Sequence, residues 1–133
     1  MYSTEPGHEA VKALLPQTDR LAVAWHGRAE FASILLRKRR EGSDSPEQLA
    51  SLTDQFQSDC RMGFIEFLPL TEGVMTRLET VLASAPATTN IRAADALHLA
   101  CAAEHGFTEV YSNDRLFLAA APLFGLTGVN VIQ

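Results

Sequence analysis

Three acidic residues, Glu30, Asp95 and Asp114, stand in settings where a carboxylate could do chemistry. From Ala93 to Ala103 the chain reads Ala-Ala-Asp-Ala-Leu-His-Leu-Ala-Cys-Ala-Ala, and Asp95 is the one acid in it. A helix apolar on all sides is expected to be buried, and a buried carboxylate needs a cation, a hydrogen-bond donor or a metal. An acid favoured in the first turn by the helix dipole would look the same. Glu30, in Ala29-Glu30-Phe31-Ala32-Ser33-Ile34, repeats the pattern near the start of an earlier helix. It too can be read as a first-turn glutamate, or as the partner of a nearby arginine. Asp114, in Ser112-Asn113-Asp114-Arg115, follows a strand and could simply cap the helix that begins there.

The three say more together than singly. Each sits at a strand-to-helix junction or at the start of a buried helix. In an open α/β sheet such junctions gather outside the carboxyl ends of the strands, where ligands bind. Acids converging there repel one another unless a divalent cation holds them, and hard oxygen ligands suit Mg2+ or Mn2+. The chemistry that uses such a site is phosphoryl transfer, in which metal-activated water attacks a phosphate. His98, three residues after Asp95, is either a metal ligand or a packed core histidine. His8, His26 and His105 lie near element ends without a spaced partner. No glycine-rich phosphate loop and no Gly-x-Ser-x-Gly elbow is present. The run Arg37-Lys38-Arg39-Arg40 either grips a backbone phosphate or complements a helix dipole from solvent.

These residues must be positioned by an alternation of helices and short strands. His8–Leu15 is predicted as a short helix closed by Pro16, and Leu21–Ala24 as a buried strand. A helix follows over about Arg28–Arg40, with Gly42 as its stop. Ser45-Pro46-Glu47-Gln48 combines an N-cap serine, a proline at the first helical position and a glutamine at the third. The amphipathic helix it opens carries Leu49, Leu52, Phe56 and Cys60. Phe64–Leu68 is a second strand, and Val74 to Leu82 mark another helix. Asn90 is expected to cap a helix ending near His105 and stopped by Gly106. Glu109–Tyr111 then reads as a strand, Asp114–Ala121 as a helix and Val129–Ile132 as a final strand. Helices between strands imply an α/β fold with a mostly parallel sheet.

Composition agrees with a single folded domain over residues 1–133. With 47% hydrophobic and 20% charged residues the chain can bury a core, which excludes wholesale disorder. No apolar run reaches the ~18 residues of a membrane span, and the first residues carry no secretion-signal pattern. Cys60 and Cys101 lack zinc-ligand spacing and read as reduced thiols of a cytoplasmic protein. A net charge of −5 argues against coating nucleic acid by bulk attraction, but not against an enzyme that touches it locally.

Arg92-Ala93-Ala94-Asp95-Ala96-Leu97-His98-Leu99-Ala100, followed by Tyr111-Ser112-Asn113-Asp114-Arg115 and Gly125-Leu126, closely resembles the C-terminal half of PIN-domain proteins, in particular VapC-type toxins of bacterial toxin–antitoxin pairs. Leu21-Ala22-Val23-Ala24, through Arg28-Ala29-Glu30-Phe31-Ala32 to Arg39-Arg40-Glu41-Gly42, is similar to that family's second strand and following helix. The resemblance covers essentially the whole chain, and the order and spacing of its motifs are more specific than any one of them. It implies a PIN-like three-layer fold and a Mg2+- or Mn2+-dependent ribonuclease with a cluster of four acids. Glu30, Asp95 and Asp114 match the second, third and fourth. Ser112 and Asn113 fall where the family often places a small polar residue, and Arg37, Arg39 and Arg40 become candidate RNA contacts. The resemblance also implies a small antitoxin partner and a homodimer.

One departure concerns the start. The family opens with a central strand carrying its first acid, in a pattern like Asp-Thr-Ser before an apolar run and a tyrosine. Met1-Tyr2-Ser3-Thr4-Glu5-Pro6-Gly7 resembles the stretch just after it, so that strand and its acid are expected to be missing. Glu5 and Glu9 lie nearby, but neither follows a strand. Two readings stand: a metal-dependent endoribonuclease of toxin type, or a catalytically silent PIN-like module that binds RNA or a protein. A phospho-accepting receiver domain is excluded, because Pro69-Leu70-Thr71, after the Phe64–Leu68 strand, supplies no acceptor aspartate.

Overall fold

The computed structural model describes residues 21–42 and 44–131. The expected helix at His8–Leu15 and the expected loss of a leading strand concern residues outside this range. Among the described residues the class is α/β, as expected. Strand β1 (Leu21–Ala24) leads into helix α1 (Gly27–Glu41) and helix α2 (Pro46–Arg61). Strand β2 (Ile65–Leu68) is followed by α3 (Glu72–Ser84) and α4 (Ala93–Glu104). Strand β3 (Glu109–Ser112), the short helix α5 (Arg115–Ala120), a 3-10 turn (Ala121–Phe124) and strand β4 (Thr127–Asn130) complete the order.

The strands pair as two two-stranded ladders, β1 with β2 and β3 with β4. Leu21 N–H donates to the Phe64 carbonyl at 2.7 Å and Trp25 N–H to the Leu68 carbonyl at 2.8 Å, so β1 and β2 run parallel. In the parallel β3–β4 pair, Glu109 faces Thr127 and Ser112 faces Asn130. This register begins β4 two residues before the expected Val129: Thr127 N–H donates to the Thr108 carbonyl at 2.9 Å, and Gly125-Leu126 already complete the turn.

The described residues divide into two compact units, one of 21–22 and 26–67, the other of 23–25 and 68–131. In the first, local signals set the helix ends. Gly42 adopts the left-handed conformation (φ 69°) that ends α1. At the start of α2, Ser45 Oγ accepts from Gln48 N–H at 3.1 Å and Gln48 Oε1 accepts from Ser45 N–H at 2.6 Å, completing the capping box. Phe31 stacks on Phe56 with ring centroids 4.1 Å apart, and Phe56 meets Phe67 at 5.9 Å in a tilted pair. These aromatic contacts join α1, α2 and β2.

In the second unit α3 packs on α4, α5 packs on β3 and β4, and the 3-10 turn packs on α4, α5 and β4. Its buried core includes Val74, Leu99, Cys101, Phe117, Phe124 and Leu126. Two sequence expectations are corrected here. Helix α4 is fully buried only at Ala96, Leu99, Ala100 and Cys101; most of its other residues are partly exposed. Its other alanines are small enough that partial exposure costs little. Nor does Asn90 cap it: the first helical hydrogen bond runs from Ala96 N–H to the Arg92 carbonyl at 2.9 Å, which makes Arg92 the capping position.

Candidate active site

Asp114 is held at the junction of β3 and α5. Its Oδ1 accepts hydrogen bonds from the N–H groups of Leu116 (2.9 Å) and Phe117 (3.4 Å), so it is the N-cap of α5. Ser112 Oγ accepts from the Asp114 N–H at 3.0 Å, which fixes the turn leaving β3. Asp114 Oδ2 takes no part in the cap and lies 3.8 Å from Arg92 Nη2.

Asp95 sits in the first turn of α4, where the helix dipole favours a negative charge. Its Oδ2 is 3.5 Å from the same Arg92 Nη2 atom, and its side chain is 20% exposed. Two carboxylates far apart in sequence therefore converge on one cationic atom. Arg92 is the positive group that both of these like charges face. Arg92 itself is 81% exposed.

Glu30 belongs to the first unit, half-buried in the first turn of α1, where its backbone N–H donates to the His26 carbonyl at 3.1 Å. His26 and Glu30 offer a ring nitrogen and a carboxylate oxygen within 4.8 Å of one another. This pair escaped the sequence reading, although its signal was available as the i, i+4 spacing across the start of a helix. His98 is half-buried on α4, one turn beyond Asp95. Asn113 is exposed beside Asp114. Arg92 was the second omission, although it stands at i−3 from Asp95.

The basic run at the end of α1 separates into two roles. Lys38 turns inward and pairs with Asp44 at 3.4 Å, with side chains 7% and 9% exposed. Arg37, Arg39 and Arg40 are exposed. Thiol chemistry has no support in the second unit. Burial pushes the Cys101 pKa up to about 11, and its Sγ lies 3.8 and 3.7 Å from the Leu68 and Pro69 carbonyls. It is a protonated core thiol at neutral pH, and a thiol is a poor nucleophile without its thiolate.

The donor chemistry of the acid pair fits a hard divalent cation. Asp95 Oδ2 and Asp114 Oδ2 are carboxylate oxygens already gathered around one positive atom, and oxygen donors are what Mg2+ and Mn2+ select. The Asp114 cap leaves one oxygen for a ligand, which limits it to monodentate binding while α5 stays capped.

The family model for the PIN domain matches residues 1–122, a span that contains all three acids. No curated protein and no solved structure matches the chain. No helix among the described residues is long and apolar enough to cross a membrane.

Proposed function

The chain belongs to the PIN domain family, and on that premise we propose that it is a divalent-metal-dependent endoribonuclease of the VapC-like, toxin–antitoxin type. The family is one of nucleases that act on RNA with divalent metals. The observation that supports the finer reading is the convergence of Asp95 Oδ2 and Asp114 Oδ2 on one cationic atom.

In this reading Asp95, Asp114 and Glu30 hold Mg2+ or Mn2+. When bound, that ion supplies Lewis-acid activation of water and neutralises charge on the scissile phosphate. The chain's own part is to hold the donors still. Ser112 holds the turn that presents Asp114, the α5 cap keeps Asp114 Oδ2 aimed away from its own helix, and the first turn of α4 presents Asp95. Asn113 lies beside Asp114 as a polar contact for substrate, and Arg37, Arg39 and Arg40 contribute phosphate contacts from the end of α1. The resemblance to VapC-type toxins extends the proposal to a cognate antitoxin, a homodimer, a cytoplasmic location and one functional domain over residues 1–133.

The test is cleavage of a mixed RNA substrate with Mn2+ titrated, wild type against Asp95→Asn. Cleavage should require the metal and fall at least about a hundredfold in the variant, as expected for a lost ligand. Absence of cleavage in wild type, together with a melting temperature unmoved by Mn2+, would instead identify a silent PIN-like module. Equal cleavage by both proteins would remove Asp95 from the site.

A further inference from the structure

Arg92 does something at the acid pair that its place in the helix does not require. As the capping residue of α4 it contributes only its backbone carbonyl; its side chain makes no capping hydrogen bond. That side chain reaches out so that Nη2 lies 3.5 Å from Asp95 Oδ2 and 3.8 Å from Asp114 Oδ2. Both contacts are long for charge-assisted hydrogen bonds, and the Arg92 side chain is 81% exposed. Ion pairs of that kind contribute little to stability and are broken readily. Arg115, the next residue after Asp114, shows no ion pair with either acid among the described residues.

We propose that Arg92 is the resident counter-cation of the Asp95–Asp114 pair, that a divalent ion displaces it from their Oδ2 atoms, and that the freed guanidinium then binds an RNA phosphate at the same site. This rests on the metal-dependent nuclease reading given above and names a residue that reading does not use. Three physical facts carry it. A divalent ion held by these acids would take the Oδ2 oxygens that Nη2 faces, so the two compete. The divalent charge gains more from two carboxylates than a delocalised monovalent one does. And the arginine, anchored by its backbone at the start of α4 but exposed along its side chain, can move a few ångströms without disturbing the helix. A guanidinium beside a metal-occupied acid pair is suited to a phosphodiester, because its planar fork matches phosphate oxygens.

Competition and substrate binding make opposite demands, and the experiment separates them. Mn2+ affinity is measured calorimetrically without RNA for wild type, Arg92→Ala, Arg92→Lys and Arg115→Ala. The Michaelis constant for RNA is then measured at saturating Mn2+. Arg92→Ala should bind Mn2+ about three- to tenfold more tightly and raise the RNA Michaelis constant about tenfold. Arg92→Lys should restore part of both effects. Arg115→Ala, which removes the same charge one residue from Asp114, should change Mn2+ affinity less than about twofold.

Wild type that binds Mn2+ and cleaves RNA, with Arg92→Ala no tighter for the metal, would overturn the proposal and leave the nuclease reading intact. Tighter Mn2+ binding with an unchanged Michaelis constant would overturn the phosphate-binding half. Arg115→Ala matching Arg92→Ala would reduce the effect to bulk charge and overturn the specific role. A wild type that takes up no Mn2+ at all would overturn both readings together.

Discussion

Asp114 has two carboxylate oxygens with separate tasks: Oδ1 caps α5, and Oδ2 faces Arg92. The capping role and the proposed ligand role can therefore be separated by substitution. Asparagine caps about as well as aspartate, whereas alanine loses about 1 kcal/mol at such a position. Asp114→Asn should keep the unfolding midpoint in denaturant and lose metal-dependent cleavage; Asp114→Ala should lose both. An Asn variant that still cleaves at the wild-type rate would show that Asp114 is only a cap. From sequence the cap and the site were rival explanations of one residue. The structure shows that capping occupies a single oxygen, so the two are compatible. Arg92 was harder to read, because its link to Asp114 crosses between elements and no local spacing reports it.

At the level of elements, the position of Asp114 depends on how closely α5 approaches β4. Gly128 allows that approach: a Cβ there would lie 2.9 Å from Leu118 Cδ2 and 3.2 Å from the Leu118 carbonyl oxygen. Part of that obstacle is backbone, which cannot turn aside as a side chain can. Gly128→Ala should destabilise the protein by about 1–3 kcal/mol, seen as a lower midpoint in urea unfolding. Because α5 begins at Asp114, the same variant should weaken metal-dependent cleavage more than Gly42→Ala, whose change lies at the end of α1. An unchanged midpoint would mean that the α5–β4 contact relaxes freely. The helix ends were largely legible beforehand. The Ser45–Gln48 capping box and the left-handed Gly42 involve residues three or four apart, so local spacing reveals them. Helix α4 is capped at Arg92 and not at the expected Asn90, since an asparagine side chain competes for capping only if the backbone there turns helical. Strand β4 starts two residues before the expected Val129, because its partner on β3 fixes its register.

For the whole molecule, a net charge of −5 leaves little general attraction for RNA. Binding should depend on a few local contacts, and its salt dependence should be shallow. If Arg92 and two of the α1 arginines touch phosphates, the slope of log affinity against log salt should be about −2, at about 0.7 per contact for a single strand. Arg39→Gln with Arg40→Gln should flatten it by about 1.4. A slope unchanged by that double substitution would move RNA recognition away from the end of α1.

The sequence alone was enough to identify the α/β class, most helix boundaries and the three acids at element junctions. Periodicity, capping and turn chemistry act between near neighbours, and the chain displays them in linear order. The pairing of β3 with β4, which residues of α4 are fully buried, the inward turn of Lys38 and the meeting of Asp95 and Asp114 at one arginine atom were decided only by tertiary structure. Each joins a residue to surroundings supplied by another segment, and which oxygen of a carboxylate faces which cation follows from packing that no local pattern encodes.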